Sequence, residues 1–159
     1  MNRKMFFTLI TAILAAGFFV LPAGAEDMGG WEKDGAYNQN YRNSERDRIK
    51  GEIVDVVEIT PLAGMSPGVA LKVRDQYDDR VLVHLAPKWY VDEHPMNLRK
   101  GDEVKIKGVW ATIGDEDVFM AAKVKRGEYD EYKVRLTSNG MPFWTMPPEQ
   151  LAKELAQSD

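Results

Sequence analysis

The sequence predicts an all-β domain in which five strands close into a barrel, followed by an added C-terminal hairpin and a short terminal helix. The first observation is an alternation of apolar and polar side chains that begins near Ile49 and recurs in successive short segments. The second is that clusters of Gly, Pro, Asn and Asp separate these segments, as turns separate strands. A β-sandwich is the competing architecture, but it needs about seven strands, and a seventh appears only if the tail is counted.

The first strand is long and apolar on both sides. Ile53, Val57 and Ile59 share one parity, whereas Val54 and Val56 occupy the other. This pattern predicts a nearly two-sided strand with a bulge. A loop rich in Gly and Pro follows at residues 61–68.

The later strands are shorter, and apolar residues alternate with polar ones in each. Residues 87–98 break the alternation with two prolines, so they suit a short helix or an extended connection. Asn139-Gly140 is a hairpin signal. By parity, Trp110 and Met120 are expected in the core. The strands are predicted at residues 69–74, 81–85, 104–110, 118–125 and 132–136.

Three strands, a connecting segment and two further strands are the elements of the five-stranded OB barrel. Closing a sheet in this way removes its exposed edges. We therefore predict an OB-like β-barrel domain at residues 48–146, which includes the added hairpin. A short helical tail is predicted at residues 147–159, where Leu151 and Leu155 form a narrow apolar stripe.

The N-terminus has the three parts of a secretory signal. A positive start at residues 2–4 precedes an apolar run at residues 5–21, and Ala23 and Ala25 form the A-x-A pattern of a cleavage site. We predict that residues 1–25 are a cleavable signal peptide and that the mature chain is periplasmic. A retained membrane anchor is the alternative, although the apolar run is at the short limit for crossing a bilayer.

The segment after the signal, residues 26–47, has no apolar periodicity and is rich in Gly, Asn and charge. It is predicted to be a flexible or loosely docked leader. Trp31, Tyr37 and Tyr41 are unusual for a linker, and we expect them to pin the leader onto the domain.

Charge and cysteine content restrict the function. Signal cleavage removes two of the 21 basic residues and none of the 25 acidic ones, which leaves a net charge of −6. That charge opposes non-specific nucleic-acid binding and favours solubility. The sequence has no cysteine, so the core must stabilise the domain without disulfides.

Five segments of the chain form a recognisable set, at residues 64–69, 83–90, 98–108, 121–127 and 139–144. Together they resemble a family of small exported bacterial OB-fold-like proteins of uncharacterised function. More distantly, the chain is similar to the periplasmic bacterial OB-fold (BOF) stress-protein family. The resemblance covers roughly residues 31 to 144 and implies fold and compartment but no catalytic residue. The chain departs from the family at Ala86, where members often carry Gly, and after Trp144, where a Gly-containing end is replaced by the helical tail.

Motifs that carry catalysis are absent from the sequence. It has no cysteine nucleophile, no G-x-S-x-G elbow, no phosphate-binding P-loop and no H-E-x-x-H pair. We therefore predict that the protein is not an enzyme and needs no cofactor.

The first candidate site contains His84, Trp89 and Tyr90, after the third strand. With His94 and Met96 it offers the imidazole and thioether ligands that select Cu(I), and a Trp ring can cover a bound cation. Small periplasmic OB-fold copper carriers use such side chains, and this chain resembles them only in fold, compartment and residue types. The alternative is that His84 makes a polar contact in the barrel wall and the methionines fill gaps in packing.

The second candidate site is a ladder of basic residues on the outward parity of the last three strands. Neighbouring strands could join these residues into one positive stripe that binds an anionic ligand, or single-stranded nucleic acid with bases stacked on aromatic rings. The alternative is the ordinary solvent face of an alternating sheet. The members are Lys105, Lys107, Lys123, Lys125, Lys133 and Arg135.

These observations predict an exported, non-catalytic OB-fold binding or accessory protein of the bacterial envelope. Its partner is an unknown protein or small ligand, and it has no membrane span after signal cleavage. One alternative is a periplasmic copper or soft-metal binding protein that uses His84, His94 and Met96. The other is an oligonucleotide-binding OB-fold protein. The expected ligand-binding residues are His84, Trp89, Tyr90, Lys105, Lys107, Lys123 and Lys125.

Overall fold

A computed structural model describes residues 27–157, and the predicted signal peptide, residues 1–25, lies outside the described residues. Within this range, no helix is both long enough and apolar enough to cross a bilayer. The strands are β1 Arg46–Ile59, β2 Gly68–Asp75, β3 Arg80–Pro87, β4 Glu103–Ile113, β5 Glu116–Arg126 and β6 Asp130–Lys133, and the helices are α1 Lys88–Glu93 and α2 Pro148–Ala156.

The six strands form one sheet in the order β3-β2-β1-β4-β5-β6, and consecutive neighbours in this order are antiparallel. A short parallel pairing of Val83 with Phe119 and of His84 with Met120 joins β3 to β5. The first five strands therefore close on themselves. The predicted all-β class with a short terminal helix is confirmed.

The long first strand serves two neighbours. Its first half pairs with β4 and its second half with β2, and the predicted bulge lies between Ile53 and Asp55. Gly51 belongs to both pairings. A Cβ atom at Gly51 would lie 2.2 Å from the carbonyl oxygen of Arg74, so only glycine fits where the strand passes from one partner to the other.

A bulge between β4 and β5 reverses the parity of β4. Val104 and Ile106 point inward, but the register shifts after Lys107, and the buried residues beyond it are Val109, Ala111 and Ile113. The prediction that Trp110 is buried is therefore wrong. Its indole is half-buried on the outer side, where Nε1 donates to Asp47 Oδ2 at 2.9 Å and the ring meets Phe119 edge-on.

The core is densest around β5, because this strand pairs with β3, β4 and β6. Every residue of β5 from Val118 to Val124 is buried. Met120 is fully buried, so its predicted place in the core is confirmed.

The leader packs against the barrel and the C-terminal segment. Trp31 and Tyr37 are almost completely buried. Trp31 Nε1 donates to the carbonyl oxygen of Ser66 at 3.0 Å, and the Trp31 carbonyl oxygen accepts a hydrogen bond from Trp144 Nε1 at 2.9 Å. The part of the leader that the structure describes is thus fixed to the domain by side chains from both ends of the chain.

The C-terminal region adds a short strand, a turn and a helix. The β6 strand ends at Lys133, earlier than expected, and the chain then doubles back around Asn139-Gly140. The Leu136 amide donates to the Met141 carbonyl oxygen at 3.0 Å, and Arg135 and Pro142 form a single antiparallel bridge. Proline at the first position of α2 suits the start of a helix, since its amide is not needed there.

Candidate functional site

The strand register collects basic side chains on the outer side of the sheet. One row crosses β1, β4, β5 and β6, and a second row lies beside it and ends at Glu131. Residues between the rows, such as Ile49, Ile106 and Val124, are buried, so the row members lie on the opposite, outer side. We call this surface the basic face. Its first row is Arg48, Lys107, Lys123 and Lys133, and its second row is Lys50, Lys105, Lys125 and Glu131.

Like charges directly opposite each other on neighbouring strands destabilise a sheet, and neighbouring strands lie only about 4.8 Å apart. The four members on β1 and β4 are nevertheless all basic and exposed. Within residues 27–157 none of these four makes an ion pair. They line a cavity of about 470 Å³ that also reaches Glu131. This part of the basic face therefore carries an uncompensated positive charge.

Toward β6 the basic face is partly neutralised and covered. Lys123 is only 4% exposed, which corrects the expectation that the whole ladder faces solvent. Its Nζ lies 3.4 Å from Glu131 Oε1, and Lys125 Nζ lies 3.7 Å from the same oxygen. Lys133 donates to the carbonyl oxygen of Gln157, just beyond α2.

His84 is buried beneath the leader. Tyr37 stacks on its ring, with centroids 6.0 Å apart, and the Tyr37 hydroxyl lies 3.2 Å from His84 Nδ1. Burial, and then the positive charge of Arg135, lowers the pKa of His84 to about 4. His84 is therefore neutral at ordinary pH and is already engaged by a partner.

Trp89 and Tyr90 lie on α1 rather than in a loop, and His94 follows the helix. Tyr90 is buried, and burial raises its pKa to about 12. His94 stacks on Tyr90 with centroids 4.5 Å apart, and its Nδ1 lies 3.3 Å from the Tyr90 carbonyl oxygen. Met96 is half-buried against the core.

The residues proposed as an alternative metal site are tied to different rings: His84 to Tyr37 and His94 to Tyr90. In the described part of the chain, no group of three or more His, Cys, Asp or Glu side chains is placed to hold a metal ion. The choice of His84, His94 and Met96 as one ligand set thus stays a prediction.

These rings belong to a continuous row of aromatic contacts. From Tyr90 the row passes to Trp144 at 6.0 Å, to Trp31 at 5.8 Å and to Tyr37 at 4.7 Å between centroids. His84 lies against Tyr37 at one end of the row, and His94 lies against Tyr90 at the other. Edge-on and tilted aromatic pairs contribute more stability than their buried area alone provides. The row therefore accounts for these side chains as the contacts that attach the leader to the domain.

Arg135 is another residue whose predicted position is wrong. It was expected on the outward ladder, but it is only 2% exposed. Its guanidinium lies between the rings of Tyr41 and Trp144, at 4.9 and 4.8 Å from their centroids. Nη2 donates to Asn38 Oδ1 at 2.7 Å, and Nη1 donates to the Gly140 carbonyl oxygen at 3.2 Å. No local pattern predicts this, because two of these partners, Asn38 and Tyr41, lie more than 90 residues away in the sequence.

Comparison with known proteins gives one family. The model of the MamS/MamX magnetosome protein family matches residues 45–130, which is more than half of the chain and runs from the start of β1 to the start of β6. The match contains all four β1 and β4 members of the basic face. A search of curated proteins found no match.

Proposed function

This chain belongs to the MamS/MamX magnetosome protein family, and we propose that it acts in that setting as a non-catalytic binding protein that holds an acidic protein partner on its basic face. The observation that carries this proposal is the two-row arrangement of basic residues on β1 and β4. Arg48 opposes Lys107 and Lys50 opposes Lys105, in a protein whose net charge is negative. A positive patch on a negative protein steers an acidic partner to one orientation.

A protein partner fits this face better than nucleic acid does. Single-stranded nucleic acid needs free aromatic faces on which bases stack. Tyr41 borders the face but is covered on its ring by Arg135 and packs closely against Gly140. The remaining negative charge of the chain also repels a phosphate backbone that extends beyond the patch.

The predicted signal peptide supports export of the mature chain to the periplasm, and we propose that it works there. The closed order of the first five strands supports kinship with OB-fold proteins. The engaged state of both histidines leaves the copper alternative without a supporting observation.

The test uses a labelled poly-aspartate peptide as the probe and the purified mature chain. The double variant Lys105→Glu/Lys107→Glu should weaken binding about tenfold or more, which corresponds to ~1.4 kcal/mol. Binding of the unmodified chain should fall steeply as salt increases, since the contacts are exposed. Fluorescence anisotropy at several salt concentrations measures both effects.

The matched control is Lys72→Glu/Arg80→Glu, which reverses two exposed charges on β2 and β3, outside the basic face. This control should bind within about twofold of the unmodified chain, because it alters net charge equally but leaves the face intact. Equal weakening in both double variants would show that only net charge matters and would overturn the proposal. In a pull-down from the native host, one bound protein should be retained by the control double variant. The same protein should be lost when Lys105→Glu/Lys107→Glu is used.

A further inference from the structure

A second cavity, of about 440 Å³, adjoins the basic face, and its lining includes the β5–β6 turn and the end of α2. Lys125 and Glu131 line both this cavity and the cavity of about 470 Å³ on the basic face. The buried Tyr90 and the half-buried Tyr132 also line it, and the Tyr132 hydroxyl donates to the His94 carbonyl oxygen at 2.7 Å. We call it the aromatic cavity. Its wall is held in place by contacts within the domain.

Exposed apolar side chains gather at the aromatic cavity. Of the large apolar or aromatic side chains in residues 27–157, three are exposed, and two of these, Tyr129 and Leu155, line this cavity. Tyr129 is 90% exposed and Leu155 is 43% exposed. The third, Tyr77, lies in the turn that joins β2 to β3. Protein interfaces take most of their affinity from aromatic anchors that fill such cavities, so this position suits an anchor of a partner.

The balance of charge differs between the two cavities. Six basic residues and one acid, Glu131, line the cavity on the basic face. Even with Glu131 assigned to Lys123 and Lys125, the four basic residues on β1 and β4 have no ion-pair partner within residues 27–157. In the aromatic cavity two lysines, Lys125 and Lys133, are matched by two acids, Glu128 and Glu131. Carboxylates of a partner are therefore attracted to the first cavity, and a neutral side chain suits the second.

We propose that the acidic partner binds as an extended segment whose carboxylates lie on the basic face and whose neighbouring aromatic side chain enters the cavity that Tyr129 and Leu155 line. This inference rests on the proposed function, because it adds an anchor to the same contact. From β1 across β4 and β5 to β6 are three strand spacings, or about 14 Å at ~4.8 Å each. An extended chain covers that distance in about four or five residues. The partner should therefore carry a short acidic run next to one aromatic residue.

The experiment measures fluorescence anisotropy with labelled peptides of about five aspartates that end in phenylalanine or in alanine. The terminal residue is placed at the N-terminus in one pair of peptides and at the C-terminus in the other, so that both chain directions are sampled. In one direction phenylalanine should tighten binding to the mature chain about tenfold or more over alanine, because its ring is buried. This gain should persist as salt increases, whereas the binding that both peptides share should weaken.

The double variant Tyr129→Ser/Leu155→Ser should reduce the gain from phenylalanine to about twofold or less and leave the affinity for the alanine peptide unchanged, as a coupled pair of contacts requires. Tyr77→Ser is the matched control, since it removes an exposed ring outside the cavity, and it should keep the full gain.

A gain below about twofold in the unmodified chain, or an undiminished gain in the Tyr129/Leu155 variant, would overturn the inference. The proposed function would then stand if the alanine peptide still bound and Lys105→Glu/Lys107→Glu still weakened it. Absence of binding by all of the peptides would overturn both.

Discussion

The Tyr37 hydroxyl lies 3.2 Å from Nδ1 of His84, and this hydrogen bond joins the leader to β3 between two buried side chains. Burial raises the pKa of Tyr37 to about 12, so the phenol stays protonated. Both groups are neutral, and the hydrogen bond pairs the two buried side chains whichever ring nitrogen of His84 carries the proton. This hydrogen bond can therefore form only when the leader is docked on the barrel.

Replacing Tyr37 with Phe should destabilise the protein by about 1–3 kcal/mol, because His84 Nδ1 then stays buried without a partner. Urea unfolding followed by tryptophan fluorescence measures the change. Tyr129→Phe is the control, since Tyr129 is 90% exposed, and it should shift stability by less than ~0.5 kcal/mol. A similar small shift for Tyr37→Phe would mean that the leader is not held by this bond.

Stability should fall as pH falls from about 6.5 to about 4. The folded-state pKa of His84 is lowered to about 4, so in this window the unfolded chain binds the proton and the folded chain does not. The loss is on the order of 3 kcal/mol at the low end. His84→Gln keeps an acceptor for Tyr37 and should flatten this part of the pH profile. A profile equally steep in the variant would assign the effect to other groups.

Trp110→Ala should cost less than Ile106→Ala, although Trp is the larger residue. Ile106 is buried inside the barrel, and truncating it should cost about 2–5 kcal/mol. Trp110 is half-buried on the outer side, so the expected loss is about 1–2 kcal/mol from its contact with Phe119 and its bond to Asp47. The reverse order in chemical denaturation would place Trp110 in the core after all.

Gly51→Ala should prevent folding or cost several kcal/mol, because the new methyl group would overlap the Arg74 backbone oxygen. Gly64→Ala is the comparison. Nothing lies near a Cβ atom there, and its φ of +82° leaves only the backbone cost of about 1–2 kcal/mol. Comparable melting temperatures for the two variants would contradict the tight crossing at Gly51.

Period-two alternation predicts the strands well, since one face of each is buried and the other is not. It fails at Trp110 for a physical reason. The bulge near Lys107 shifts the register by one residue, and a shift of one residue moves every later side chain to the opposite face. Gly108 at the shift is the one local mark of this bulge, since glycine inside a strand often accompanies a bulge.

In the candidate site, too, local alternation predicts some positions and long-range packing decides the others. Outward parity brings Lys105 and Lys107 to the surface as expected. The register adds Arg48 and Lys50 from β1, because the alternation along β1 does not show which strand lies beside it. Arg135 follows the same alternation but is covered by Tyr41 and Trp144. Long-range docking of the two ends of the chain, which no local pattern encodes, decides its burial.

The hydrogen bond from Trp144 to the Trp31 carbonyl oxygen joins residues 113 positions apart. A chain that is synthesised from its N-terminus presents Trp31 long before Trp144. The Trp31 ring therefore stays without this partner until Trp144 has followed. Contacts this distant in sequence slow folding, so the N-terminal leader that covers the barrel is expected to be among the last parts of the domain to become fixed.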